Sequence, residues 1–203
     1  LLKASNLDGA SRFGYSVGVS GDTVVVGAPY DDTTYGDSGS IYVYARSGAT
    51  WSQQAFLKAS TFDAASRFGW SVGVSGDTVT VGAPYDDTTY FDSGSAYVYV
   101  RSGSTWSQQA FLKASTFDGG SRFGWSVGVS GDTMVVGAPH DDTNYIDSGS
   151  AYVFNGVPLR EISVSGNSTV ISDGATTPST ADHTDFGSVA TVAGTVVRTF
   201  TVQ

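Results

Sequence analysis

The sequence predicts an all-β protein that is assembled from repeated units. Residues 12–29 recur almost unchanged at 67–84 and again at 122–139, which is a period of 55 residues. Such a period is typical of repeat architectures, in which each unit packs mainly against its neighbours. Glycine is abundant, with 26 residues, and no segment has the apolar spacing of an amphipathic helix. Strands joined by tight turns are therefore expected along the chain.

Each repeat contains four stretches that read as strands, which is the strand content of one β-propeller blade. In the first repeat, residues 15–20 alternate bulky with small side chains, and residues 24–26 are apolar on both faces, as in a buried strand. A polar loop leads to the third strand at 40–46. The fourth, at 51–58, carries glutamine and lysine, which suit an outer edge. We therefore expect four-stranded antiparallel blades, with the first strand innermost and the fourth outermost.

The repeats at 12–66 and 67–121 are complete, whereas the third, at 122–154, lacks a fourth strand. Residues 1–5 repeat the end of such a strand and are predicted to be an orphan outer strand. Three blades are fewer than the roughly four to eight of natural propellers. Either blades are missing, or two chains combine, or the blades stack in an open array. Unpaired edges are expected to recruit other copies of the chain, with 1–5 pairing beside 150–154.

The character of the sequence changes after residue 156, which divides the chain into blades at 1–156 and a second domain at 157–203. Alternating stretches at 161–165 and 196–202 flank a loop rich in threonine, serine and aspartate at 173–185. About three strands predict part of an immunoglobulin-like β-sandwich, which is expected either to pack its open face against a partner or to stay poorly ordered. With neither a methionine nor a signal-peptide pattern at its start, the chain is expected to be either a processed product or a fragment of a longer protein, and the fragment is favoured.

Composition narrows the classes of partner. Acidic residues outnumber basic ones, 19 to 10, for a formal net charge of −9. An acidic surface repels phosphate groups and so argues against nucleic acid and anionic membranes as partners. The chain contains no cysteine, and no apolar stretch approaches the roughly 18 residues of a membrane helix. These features fit a secreted or surface protein of bacterial origin, with no membrane insertion in this segment.

Two short motifs suggest a family. Phe13-Gly14 followed by Gly27-Ala28-Pro29, repeated three times with the same spacing, resembles the FG-GAP repeat. That family builds the propeller of integrin alpha subunits and occurs in many bacterial surface proteins, so the resemblance, over about residues 1–154, implies an adhesive or assembly role. Residues 161–203 resemble the start of the immunoglobulin-like choice-of-anchor D modules of large bacterial surface proteins.

The calcium-binding loop of integrin-type repeats is not found at the equivalent position of this sequence. The resemblance would place it between the Phe-Gly strand and the Gly-Ala-Pro strand, where this chain has only Ser20-Gly21-Asp22-Thr23 and its copies. One carboxylate cannot supply the roughly six to eight oxygens that calcium prefers. Three carboxylates in the next loop of each repeat could hold a calcium ion or could simply cap turns. These metal candidates are Asp31, Asp32, Asp37, Asp86, Asp87, Asp92, Asp141, Asp142 and Asp147.

No arrangement of residues predicts catalysis or a cofactor. His140 stands where the other repeats have tyrosine, and His183 lies in a polar loop, so both are interpreted as tolerated substitutions. The sequence contains neither a Gly-x-Ser-x-Gly elbow nor a phosphate-binding glycine motif, and we expect that the protein is not an enzyme.

One aromatic position recurs directly after each Phe-Gly, at Tyr15, Trp70 and Trp125. A row of rings could stack on sugars, but alternation with serine favours packing between blades. The leading hypothesis is a non-enzymatic extracellular module for adhesion, protein interaction or surface assembly, with a protein or glycan ligand. The alternative is a carbohydrate-binding propeller, or the propeller of an enzyme whose site lies in missing blades.

Overall fold

The computed structural model is all-β and divides into two compact units, Leu1–Leu159 and Arg160–Gln203. The residues that the structure describes are 1–6, 9–61, 64–116, 119–156, 164–166, 169–171 and 200–202. None of these residues is helical. The predicted all-β class, with blade-like antiparallel sheets, is confirmed.

The first repeat forms a four-stranded antiparallel sheet in the order β1-β2-β3-β4. Its strands are β1 (Ser16–Ser20), β2 (Thr23–Ala28), β3 (Ser40–Ser47) and β4 (Thr50–Leu57). Gly21, with a φ of 54°, makes the tight turn between β1 and β2, a backbone conformation that glycine adopts without strain. A bulge between Val43 and Tyr44 interrupts the pairing of β3 with β4. The predicted strand order within the sheet is confirmed.

The second and third repeats follow the same plan. The second sheet contains β5 (Ser71–Ser75), β6 (Thr78–Ala83), β7 (Ser95–Ser102) and β8 (Thr105–Leu112), again in sequence order. The third contains β9 (Ser126–Ser130), β10 (Thr133–Ala138) and β11 (Ser150–Asn155), in the order β11-β10-β9. Among the described residues, two blades therefore have four strands and the third has three, because the third repeat does not contain the Trp-Ser-Gln-Gln segment that forms the fourth strand elsewhere.

The blades share their apolar core with their neighbours. Val25 and Val43 of the first blade lie in one buried cluster with Phe68 and Val81 of the second blade. Phe123 repeats the role of Phe68 at the joint between the second and third blades. Burying a large apolar side chain contributes about 1.5–3 kcal/mol, so each joint is a substantial part of the stability of the blades beside it.

The N-terminal residues do not form the predicted outer strand, since the structure assigns no strand to residues 1–5. Leu2 and Ala4 pack on the first blade, and the Tyr44 hydroxyl donates a hydrogen bond of 2.7 Å to the Lys3 carbonyl. Tyr99 makes the same bond to Lys58, just after β4 ends. The prediction is wrong because residues 3–5 correspond to the crossing segment between blades and not to a strand. The expected pairing of 1–5 beside 150–154 involves other copies of the chain and stays a prediction.

The described residues of the second unit form a three-stranded antiparallel sheet in the order β13-β12-β14. The strands are β12 (Val164–Gly166), β13 (Thr169–Ile171) and β14 (Phe200–Val202). Three strands match the number predicted for this region. His183 and the loop at 173–185 lie outside the described residues, as do most of the residues on which the immunoglobulin-like prediction rests.

Candidate functional site

The loops between the second and third strands line one edge of the blades, which we call the loop rim: residues 30–39, 85–94 and 140–149. The first two loops reach the start of the next repeat through their backbones. The amides of Ala65 and Phe68 donate hydrogen bonds of 2.8 and 3.0 Å to the carbonyls of Gly36 and Ser38. The same bonds link the second loop to the third repeat. The rim therefore holds successive blades together and aligns its loops along one edge.

The Asp31 side chain is a buried, ionised carboxylate with a structural role. Its carboxylate is completely buried and accepts hydrogen bonds from the Thr33 amide at 3.0 Å and the Tyr42 hydroxyl at 3.1 Å. The Lys58 ammonium, which follows β4, forms an ion pair with it at 2.9 Å. Burial alone would raise the pKa of Asp31, but hydrogen bonds from Thr33 and Lys58 outweigh burial and hold the pKa at about 2. The loop is thus tied to the outer strand of its own blade.

The equivalent aspartates differ in their partners. Asp86 pairs with Lys113 at 3.2 Å and with the Tyr97 hydroxyl at 2.7 Å. Asp141 accepts a hydrogen bond from the Tyr152 hydroxyl, but no lysine among the described residues pairs with it, because the third repeat ends before that position. For both aspartates, burial would raise the pKa, but hydrogen bonds from neighbouring side chains hold it below its usual range. The third loop therefore keeps a buried carboxylate without the cation.

The other aspartates of the rim organise the loop backbone. Asp32 accepts a hydrogen bond of 2.6 Å from the amide of Asp37, whose φ of 53° is left-handed. The pairs Asp87–Asp92 and Asp142–Asp147 repeat this bond at the same length. The capping alternative therefore accounts for these residues.

The nine metal candidates do not converge on a cation site. Within the described part of the chain, no group of three histidine, cysteine, aspartate or glutamate residues is placed to hold a metal ion. Asp31 instead faces Lys58, a pairing that sequence reasoning missed. The available signal was the constant spacing of 27 residues that separates Asp31 from Lys58 and Asp86 from Lys113.

The Phe-Gly and Gly-Ala-Pro motifs meet where two blades join. A Cβ atom at Gly27 would overlap the carbonyl oxygen of Gly69, which belongs to the next repeat. The Ser16 hydroxyl donates a hydrogen bond of 2.8 Å to that same carbonyl. Gly82 and Gly124 repeat the close approach one blade further on. The two glycines are required because the backbones touch, so the paired motifs are the joint between blades.

A ladder of rings and guanidinium groups crosses the blades beside the rim. The Tyr15 and Trp70 rings lie 4.8 Å apart, and the Trp70 and Trp125 rings 5.0 Å apart. The Arg67 guanidinium lies 5.0 Å from the ring centre of Tyr30 and 4.2 Å from that of Tyr85. Such cation–π contacts add to the packing. The aromatic row therefore packs between blades, which confirms that interpretation of the sequence.

His140 ends the ladder in the third repeat. Its ring lies against Trp125 at 6.1 Å, and its Nδ1 lies 2.8 Å from a carboxylate oxygen of Asp147. Both side chains of this pair are substantially exposed. The sequence treated His140 as a tolerated substitution. The structure adds a polar contact within the third loop, where tyrosine in the other repeats stacks on arginine.

The tips of the loops expose large apolar side chains. The exposed fractions are 52% for Tyr35, 54% for Tyr90, 76% for Phe91, 81% for Tyr145 and 87% for Ile146. The position after the tyrosine is Gly36, Phe91 or Ile146, so it differs in all three repeats. We call these side chains the loop tips. Sequence reasoning treated the loop only as polar and acidic, although the change at this position among near-identical copies was visible.

Stacked blades joined through paired glycine motifs define a β-propeller-type repeat protein. The FG-GAP repeat family matches residues 2–44, 51–99 and 106–154, and the chain belongs to that family. The second and third matched segments each run from the fourth strand of one sheet to the third strand of the next. Repeats of this family are typical of extracellular and surface proteins. A comparison with curated proteins finds no match. Across the described ranges, no helix is long and apolar enough to span a membrane.

Proposed function

We propose that the chain is a non-enzymatic extracellular module that binds a protein partner, in adhesion or surface assembly, through its loop rim. The observation that carries this proposal is the row of exposed loop tips along one edge. Single exposed apolar residues are common on protein surfaces. Large apolar side chains repeated at one position of three successive loops instead form the kind of surface that marks interaction sites, which are enriched in aromatic residues.

The scaffold beneath the tips supports this proposal. Each loop is fixed to its blade by a buried aspartate, and the first two loops are also fixed to the next blade by backbone hydrogen bonds. The tip residue itself varies from Gly36 to Phe91 to Ile146. A rigid framework that presents variable loop residues is a common design of binding proteins, because contacts can change without loss of the fold.

The net charge and the sequence of the second unit also favour an extracellular protein that binds a protein partner. A net charge of −9 disfavours nucleic acid and anionic membranes as partners and leaves protein or glycan. The resemblance of residues 161–203 to immunoglobulin-like modules of bacterial surface proteins supports an extracellular or cell-surface location. Calcium is not part of the proposal, because Asp31 and Asp86 already pair with lysine.

The test uses the full chain on a protein array and a glycan array in parallel. The Phe91→Gly/Ile146→Gly variant copies the first repeat, where Gly36 already occupies this position, so the loops are expected to keep their conformation. The control is Ala49→Ser, at an exposed hairpin turn where the second repeat has Ser104. We expect saturable binding to a protein on the array that falls at least about tenfold in the double variant, a loss of about 1.4 kcal/mol, and is unchanged in the control.

One observation favours the alternative that the chain binds a glycan. Tyr15, at the end of the aromatic row, is substantially exposed, so a sugar could stack on its ring. Glycan binding that is lost in Tyr15→Ala but kept in the loop-tip variant would replace the proposal with a carbohydrate-binding function. Protein binding that is the same in the loop-tip double variant and in the Ala49→Ser control would also contradict the proposal, because the loop tips would then contribute nothing to the affinity.

A further inference from the structure

The first blade turns an apolar face away from the second blade, and we call this the leading face. Its Val17 and Val19 are 68% and 69% exposed. In the second blade, the equivalent Val72 and Val74 pack into the core shared with the first blade. Side chains of a strand alternate between its two faces, and Gly18 lies on the face against Val74. Val17 and Val19 therefore project from the opposite face.

The third blade presents the opposite kind of surface on its outer side, which we call the trailing face. A Cβ atom at Gly18 would lie 3.1 Å from Val74, and one at Gly73 would lie 3.2 Å from Val129. At Gly128, the third glycine of this set, a Cβ atom would meet nothing within 4 Å. Among the described residues, the hollow that receives a valine at both joints between blades is thus open on the third blade.

Other side chains of the trailing face are also left uncovered. Val135 and Val153 are 41% and 61% exposed, whereas their equivalents in the first blade, Val25 and Val43, are completely buried under the second blade. A Cβ atom at Gly137 would touch only Ser126 of the same blade, in contrast to Gly27 beneath Gly69. The trailing face therefore has the shape of a joint without its second half.

We propose that the leading face of one copy of this chain docks on the trailing face of a second copy. Val19 of the second copy then lies on Gly128, as Val74 lies on Gly18. Gly14 of the second copy lies over Gly137, and Ser126 donates to its carbonyl, as Ser16 does to Gly69 at 2.8 Å. We assign a second copy of this chain to the trailing face because the chain carries both a leading and a trailing face. These two kinds of surface already pack against each other at both contacts between its blades.

Backbone groups extend the match along the loop rim. At the joint between the first and second blades, Ala65, Arg67 and Phe68 donate to the three carbonyls at 36–38. The equivalent carbonyls of the third blade are those of residues 146–148. The equivalent donors of the first repeat are the amides of Ala10, Arg12 and Phe13. Because the leading and trailing faces are different surfaces, the contact is heterologous, and it propagates from copy to copy into a closed ring or an open array.

Engineered cysteines test the contact directly, since the chain has none of its own. A Val19→Cys chain mixed with a Gly128→Cys chain is expected to form a disulfide-linked pair under mild oxidation. Neither variant alone is expected to do so, nor is Val19→Cys mixed with Ala49→Cys, whose thiol lies at an exposed hairpin turn. Linking of Val19→Cys chains to each other would indicate a symmetric dimer and would overturn the proposal, as would equal linking in all mixtures.

The mass in solution provides the second measurement. Light scattering of the wild-type chain is expected to give a mass that rises with concentration above the 21.0 kDa monomer. Gly128→Val fills the hollow, and its Cβ atom would have no neighbour within 4 Å, so its circular dichroism should be unchanged while the apparent dissociation constant rises by about tenfold or more. A wild-type mass of 21.0 kDa at every concentration would overturn the proposal.

Discussion

The second and third blades differ little in sequence but strongly in the surroundings of equivalent side chains. Val98 in β7 is completely buried, whereas Val153, its equivalent in β11, is mostly exposed. Thr80 in β6 and Val135 in β10 show the same contrast. The second blade lies between two neighbours, and the third has one among the described residues. A blade therefore forms its strands from its own sequence, but the adjacent blade completes its core.

The largest expected effect comes from emptying a joint. Phe68→Ala removes a completely buried ring that lies between the first two blades, so we expect a loss of about 3–5 kcal/mol in the free energy of unfolding. Phe13→Ala is the matched control, because Phe13 is half-buried on the first blade. Urea denaturation measures both variants. Equal losses would mean that a neighbouring blade adds nothing to the burial of this residue.

Crowding the joint should have the next largest effect. In Gly82→Ala, the new methyl group overlaps the backbone carbonyl of Gly124, which cannot move without separating the blades. We expect a loss of about 1–3 kcal/mol in thermal unfolding. In Gly137→Ala, the methyl group overlaps only the Ser126 hydroxyl, which can rotate, and its other contacts with Ser126 are at ordinary distance, so the loss should stay within about 0.5 kcal/mol. The measurement is made at concentrations where light scattering gives 21.0 kDa, so that no second copy lies over Gly137. A Gly137→Ala variant as unstable as Gly82→Ala would then contradict the open outer side of the third blade.

A smaller, pH-dependent effect distinguishes the buried aspartates. Because the pKa of Asp31 falls from 3.8 to about 2 on folding, its ionised form stabilises the fold above about pH 4. This contribution, about 2 kcal/mol, is lost as the pH falls towards 2. The stability difference between wild type and Asp31→Asn should therefore be clear at about pH 5 and small at about pH 2 in urea unfolding.

Asp141→Asn is the comparison for that experiment. Asp141 has the tyrosine partner but, among the described residues, no lysine, so its replacement should cost less than that of Asp31 at neutral pH. If the two variants were equally destabilised, the lysine would not distinguish the complete loops from the third one.

The smallest expected effect is that of calcium. Excess calcium followed by chelator should leave the melting temperature of the chain unchanged, because Asp31 is paired with Lys58 and Asp32 with the loop backbone. A melting temperature that rises with calcium and falls with chelator would instead restore the metal interpretation of the loop aspartates.

The strands were predictable because their signals are local. Alternation in β1, the apolar run in β2 and the glycine turn at Gly21 each depend on neighbouring residues, and three copies reinforced them. The missing fourth strand of the third blade was equally visible. The predicted strand at 1–5 failed because its sequence match extended past the end of β4 into the crossing segment.

The candidate site was less predictable because it depends on contacts between distant residues. The Asp31–Lys58 pair closes a loop with the end of another strand, and Phe68 packs beneath a different repeat. These residues recur at a constant spacing in the sequence, but the spacing alone does not predict which of them contact each other in the fold. The exposure of Ile146 and the openness at Gly128 also follow from the arrangement of whole blades.

Hydrogen exchange of β6 and β10 most directly tests the claim that a neighbour completes each blade. These strands are central in their sheets and identical at four of six positions, but among the described residues only β6 lies between two blades. The comparison is made at concentrations where light scattering gives 21.0 kDa, so that no second copy covers the third blade. We predict that amides of Thr78–Ala83 exchange more slowly than those of Thr133–Ala138. Equal protection of the two strands would contradict the account.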